Sequence, residues 1–242
     1  MELPARLFWV LIGPFIGLYV ATFAAAWPRA PRLWGRSRCD RCGTPLRARD
    51  QVPVLSYLLK RGRRGCCDGR IPRTFPLGEA GGLGVGLIAA AWPQPGQAAL
   101  VAALGYCLLY LALVDLRRYR LPIPALGLAA ALALGLRAWT RWSELPGDLL
   151  GAATVAAFML LLRRMGPRRN DPEMSTGMGG GDVALAAIVA LLTGWRLAPM
   201  SLAVAALAPL LIMTIQRRRG PVAFGFWLNL AGLLALIPLR GT

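Results

Sequence analysis

Apolar stretches recur along this chain, separated by arginine-, proline- and glycine-rich links. They lie at approximately residues 7–27, 77–93, 98–115, 121–139, 147–163, 182–196, 198–215 and 221–239. A bilayer core about 30 Å thick needs roughly 20 mostly apolar residues to be crossed by a helix. With 56% hydrophobic residues in 242, the chain is too apolar for an ordinary soluble domain. Shorter runs suit tilted helices or buried ends. Alternation with a period of two over ten-residue segments is absent, which argues against a β-barrel. The expectation is an all-α polytopic membrane helix bundle of about eight transmembrane helices, surrounded by lipid.

The charge distribution sets an orientation. The chain carries 28 Lys and Arg against 11 Asp and Glu, a net charge of +17. Such a balance is common in proteins that bind nucleic acid, but no aromatic-interleaved basic platform accompanies it. Instead the arginines fill alternate connections: residues 28–76, then Arg117, Arg118 and Arg120, then Arg163, Arg164, Arg168 and Arg169, then Arg217–Arg219. Cytoplasmic loops are enriched in Lys and Arg. Residues 28–76 are therefore expected in the cytosol, both termini outside, and no nucleic-acid partner.

Three units follow. Residues 1–27 form an N-terminal transmembrane helix. Ala24-Ala25-Ala26 resembles a signal cleavage site, but the basic residues mostly follow the apolar stretch, so a retained anchor is expected. Residues 28–76 form a small cytosolic Cys-rich loop domain, and residues 77–242 a multi-helix membrane domain. About fifty residues make a marginal domain without a staple.

Two acids stand out. Asp115 ends the run that starts near residue 98. Asp182 follows Gly177-Met178-Gly179-Gly180-Gly181 and opens the next run. Ionisable residues in membrane segments are costly and are functional candidates. Both fall at the cytosolic side of the expected topology, although 67 residues separate them. Two carboxyls at one site hold one proton between them, so one can take a proton from water while the other donates. Gly177, Gly179 and Gly181 offer a backbone edge that an extended substrate peptide can approach closely. The bland alternatives are that Asp182 caps its helix and that Asp115 pairs with Arg117 or Arg118.

Cys39-x-x-Cys42 is followed by adjacent Cys66-Cys67. Two thiol pairs on a small loop suit a tetrahedral zinc site, although adjacent cysteines fit less well than a second Cys-x-x-Cys. Free thiols or a redox-sensitive pair are the alternatives. Cys107 lies inside a membrane run and reads as packing.

Taken together, these features resemble the bacterial type IV prepilin leader peptidases, membrane aspartyl proteases marked by Gly-x-Gly-Asp. The matching stretches are Asp50-Gln51-Val52-Pro53-Val54-Leu55-Ser56-Tyr57-Leu58-Leu59-Lys60-Arg61-Gly62, Phe75-Pro76-Leu77-Gly78-Glu79, Asp115 through Leu121-Pro122, and Gly177 through Asp182. The resemblance implies that Asp115 and Asp182 are catalytic, and that Cys39, Cys42, Cys66 and Cys67 hold a metal. It implies leader removal from type IV prepilins or type II secretion pseudopilins at the cytosolic face of the bacterial inner membrane. It also implies N-methylation of the new amino terminus with S-adenosylmethionine. Ala184 stands where the family commonly has lysine, Ile123 where it often has Asp, and Arg64 where the third cysteine falls. Glu79 is expected near the cytosolic end of the second span. It reads as a salt-bridge partner of a loop arginine, or as a binder of a substrate amine or methyl donor. The competing class is a non-catalytic scaffold, or a transporter using the acids as a proton relay.

Overall fold

The computed structural model of the chain describes residues 1–28, 39, 42–45, 57, 62–67, 69–165, 179–200, 202–203, 207 and 223–238. Within them run seven helices of twelve residues or more: α1 (Leu3–Ala26), α2 (Thr74–Ala91), α3 (Pro95–Arg118), α4 (Ile123–Thr140), α5 (Leu145–Met165), α6 (Gly180–Thr193) and α7 (Phe224–Ala235). A single 3-10 turn, Trp142–Glu144, joins α4 to α5. An antiparallel β-bridge pairs Arg63 with Arg70.

Five helices are long and apolar enough to cross a membrane, and α6 and α7 are shorter apolar helices. The chain is a multi-pass membrane protein, an all-α bundle. The expected run at 198–215 falls largely outside the described residues. The other seven runs correspond to α1 through α7 with shifts of a few residues.

Sequence explains where the helices start and stop. Prolines open α1, α3 and α4 within their first two positions, where a missing N–H costs no intrahelical bond. Tyr119 ends α3 in the left-handed conformation, φ 53°, and donates its N–H to the Asp115 carbonyl at 2.9 Å. Arg117 and Arg118 occupy that last turn, where cations complement the helix dipole.

α3 is the central helix. It packs against α1, α2, α4 and α7, and it buries Leu104, Leu108, Leu111 and Val114 completely. α6 packs against α4, α5 and α7, and it buries Leu185 and Val189. Lipid is as apolar as leucine, so close backbone packing rather than hydrophobicity holds such helices together. α1 against α2 shows how close. A Cβ on Gly13 would lie 2.5 Å from the Gly82 carbonyl oxygen, and one on Gly17 would collide with the Gly78 carbonyl. Gly17→Leu is therefore expected to destabilise the protein by about 3 kcal/mol. Gly84→Leu, at a position with nothing within 4 Å of a built Cβ, is expected to be near neutral. Denaturant unfolding in micelles compares the two.

The two ends of the bundle differ chemically. At one end stand Trp92, Trp139, Trp142 and Trp195, amphipathic rings suited to a membrane interface. Here Trp92 donates its indole N–H to the Leu236 carbonyl at 2.9 Å. Arg137 and Asp148 also pair here, both buried. Arg137 Nε donates to Asp148 Oδ2 at 2.9 Å, its Nη2 donates to the same oxygen, and Asp148 Oδ1 accepts the Trp195 N–H at 3.1 Å. At the other end Arg117 Nη1 donates to Thr74 Oγ1 at 3.3 Å, which ties the end of α3 to the start of α2.

Candidate active site

Asp115 lies in the last turn of α3, only 4% exposed. A negative charge there faces the carbonyl end of its own helix, an unfavourable place for it. The compensation comes from elsewhere in the chain. Phe226, the third residue of α7, donates its backbone N–H to Asp115 Oδ2 at 2.9 Å.

Asp182 is the third residue of α6 and is half-buried. Its Oδ2 reaches back to accept the Gly179 N–H at 3.0 Å, while its own N–H donates to the Gly179 carbonyl at 3.1 Å. The N-cap of α6 is thus Gly179 rather than Asp182, which reaches back to it from the third helical position and uses one oxygen to do so. The other oxygen turns inward. A Cβ built on Gly225 would sit 3.0 Å from Asp115 Oδ2 and 3.2 Å from Asp182 Oδ1. The two acids thus meet across the start of α7. Asp115 makes no ion pair with Arg117 or Arg118.

A cavity of about 1080 Å³ opens from the two acids. It runs between α4 and α6, past Gly127 and Ala130 on one side and Ala184, Ala187 and Leu191 on the other. Gly179 and Gly181 line its mouth, and Arg120 stands beside them. Gly181 allows the link before α4 to press close, since a Cβ there would lie 3.0 Å from Leu121 Cβ. The Arg163 guanidinium sits over Gly180. Gly177 lies outside the described residues. Glu79 is buried in α2, 6% exposed, and does not line this cavity.

Gly225 and Phe226 escaped the sequence reading. A backbone N–H leaves no mark in a sequence. The available signal was a glycine set between Phe224 and Phe226 at the head of the last apolar run.

Away from the membrane helices, the four loop cysteines come together, all Sγ atoms within 4.8 Å of one another. Two tight turns bring them. Gly43, at φ 70°, donates its N–H to the Cys39 carbonyl at 2.8 Å, closing the first turn. Beside the Arg63–Arg70 bridge, the Arg64 N–H bonds the Gly69 carbonyl at 2.8 Å and closes the second. Adjacency of Cys66 and Cys67 is thus no obstacle, because the second turn points both thiols at the first. Cys42 and Cys66 lie 3.4 Å apart and Cys39 and Cys67 3.9 Å apart. Four thiolates at about 2.3 Å around a zinc ion stand roughly 3.8 Å from one another. The donor set and its spacing fit a metal. Arg64 Nη1, 3.0 Å from Cys39 Sγ, adds positive charge beside it. Hydrogen bonding with Cys42, then with Cys39, pushes the Cys66 thiol up to about 12. The Thr44 side chain holds Cys42 below its usual value.

Comparison with known proteins agrees with this architecture. Residues 11–92 match the bacterial peptidase A24 N-terminal domain, and residues 102–214 match the type IV leader peptidase family. A prepilin leader peptidase/N-methyltransferase of Dickeya chrysanthemi is 30% identical over 84% of this chain and 74% of its own length. One from Burkholderia pseudomallei is 32% identical over 83% of this chain and 66% of its own. One from Pseudomonas putida is 29% identical, covering 83% and 71%. No solved structure matches. Two membrane acids meeting at one end of a helix bundle, a cysteine cluster on the loop and likeness along most of its length lead to one conclusion: the chain belongs to the type IV leader peptidase family.

Proposed function

We propose that this protein is an aspartyl endopeptidase that removes leader peptides from type IV prepilins or type II secretion pseudopilins, with Asp115 and Asp182 as its catalytic pair. The observation that carries this reading is the approach of both carboxylates to the same space above Gly225, at the head of a cavity edged by glycines. One acid, ionised, takes a proton from water as that water attacks the scissile carbonyl. The other, protonated, donates to the carbonyl oxygen, and the proton taken from water later serves the leaving amine. Each carboxylate is tied through Oδ2 to a backbone amide at a helix start, so neither needs to reorient during the reaction. The substrate's apolar segment lies in the cavity between α4 and α6. Leader removal from a co-expressed prepilin by Asp115→Asn and Asp182→Asn variants is the direct test.

The acid end of the bundle faces the cytosol and the membrane is the bacterial inner membrane. Among the described residues, arginines 63, 64, 70, 73, 117, 118, 120, 163 and 164 lie on that side and only arginines 6, 137, 141 and 196 on the other, the asymmetry of a cytoplasmic and an external face. The names of the relatives pair the peptidase with an N-methyltransferase. The same pairing here makes S-adenosylmethionine the donor that methylates the newly exposed amine.

Cys39, Cys42, Cys66 and Cys67 hold one zinc ion that staples residues 28–76. The four sulfurs would hold the metal as thiolates, so binding would release protons. Purified protein is expected to carry about one zinc per chain, and Cys67→Ser to lose most of it, by elemental analysis. An unchanged metal content in Cys67→Ser removes the assignment.

A further inference from the structure

The start of α7 supplies no charged or nucleophilic side chain, yet it touches both acids. Three facts concern it. Phe226 is the third residue of its helix, so its N–H has no partner inside α7 and is free to serve another group. That N–H donates to Asp115 Oδ2 at 2.9 Å. Gly225, one residue earlier, carries no side chain where a Cβ would stand 3.0 Å from Asp115 Oδ2 and 3.2 Å from Asp182 Oδ1. Asp182 has a local amide, from Gly179, to fix its orientation. Asp115 lies at the wrong end of its own helix to have one, and the last helix provides it.

We propose that Gly225 and Phe226 are the positioning residues of the acid pair. The Phe226 N–H fixes the orientation of Asp115, and the bare Gly225 keeps open the space in which both carboxylates reach one water. This rests on the peptidase reading of Asp115 and Asp182. A methyl at residue 225 wedges the carboxylates apart by a few tenths of an ångström, and a branched side chain fills the gap. Neither change touches the cavity walls between α4 and α6, so substrate binding is left largely in place.

The test uses full-length protein in detergent or liposomes with a complete prepilin, and it measures kcat and KM separately. Proline is tolerated in the first turn of a helix, so Phe226→Pro deletes the N–H without costing an intrahelical bond. Phe226→Ala keeps the N–H and deletes only the ring, which isolates the amide. Phe226→Pro is expected to turn over at least about 30-fold more slowly than Phe226→Ala, with KM values within about threefold of each other. Gly225→Ala is expected to lower kcat about 10- to 100-fold, and Gly225→Val further, again with KM nearly unchanged. Thermal unfolding of each variant shows whether it folds. If Phe226→Pro does not, the Gly225 pair decides. Equal turnover by folded Phe226→Pro and Phe226→Ala, or a Gly225→Val protein with parental kcat, overturns the proposal. A parallel Asp115→Asn separates the failures. Cleavage surviving in Asp115→Asn sinks the catalytic pairing of Asp115 with Asp182 on which the proposal rests. Cleavage lost there but kept in the α7 variants sinks only the positioning role.

Discussion

Asp115→Asn and Asp182→Asn each lower prepilin cleavage by about 10³-fold or more, and the double variant is no worse than either single one. Asparagine keeps the shape of aspartate and an oxygen that accepts the same backbone N–H. The Phe226 and Gly179 contacts therefore survive, and the bundle folds. What disappears is the proton that two carboxyls share. A water between one acid and one amide has no base strong enough to activate it, or no acid to protonate the carbonyl oxygen. The two groups act as a unit, so their losses do not add. Gel-shift analysis of a co-expressed prepilin reads the result, with purified protein giving the rate. A scaffold or a proton-relay transporter has no such requirement. Either single variant cleaving within tenfold of the parent would rule out the shared-proton mechanism.

Asp148→Ala destabilises the protein by about 3–5 kcal/mol. Asp148 is fully buried, and its carboxylate receives two donors from Arg137 and one from Trp195. Removing it leaves a guanidinium buried without its counter-ion, with Glu144, half-exposed and 3.8 Å away, a poor substitute. It also orphans the Trp195 amide just beyond α6. Arg137→Met combined with Asp148→Leu is expected to recover part of the loss, since no charge is then left unpaired. The Trp195 amide stays without a partner, so recovery is incomplete. Unfolding in micelles by heat or denaturant measures both. An Asp148→Ala protein within about 1 kcal/mol of the parent refutes the clamp.

These two expectations differ in how far the chain announced them. Asp115 and Asp182 were legible because an acid at the end of an apolar run is costly enough to need a reason, and glycines precede one of them. The helical bundle was legible because a bilayer demands long apolar segments, and arginines mark alternate links. The Arg137–Asp148 clamp was not legible. Each residue stands near the end of its own run, where a lone charge reads as an interfacial flank. Only packing shows that the two ends coincide. The cysteine cluster was half legible. Spacing along the chain suggested four thiols but made the adjacent Cys66 and Cys67 a poorer fit than a second Cys-x-x-Cys, because spacing says nothing of the turn that aims both. Gly225 and Phe226 were invisible for another reason. They act through an amide and through the absence of a side chain, and hydropathy records neither.

The dependence of Asp115 on an amide 111 residues further along carries a consequence for biosynthesis. On the peptidase reading, a nascent chain that has threaded α1 through α6 into the bilayer possesses both acids, but one of them still swings freely. Competence to hydrolyse a peptide arrives only when residues 224–235 emerge and dock. Until that moment the unfinished enzyme poses little danger to the other polypeptides passing through the same insertion machinery.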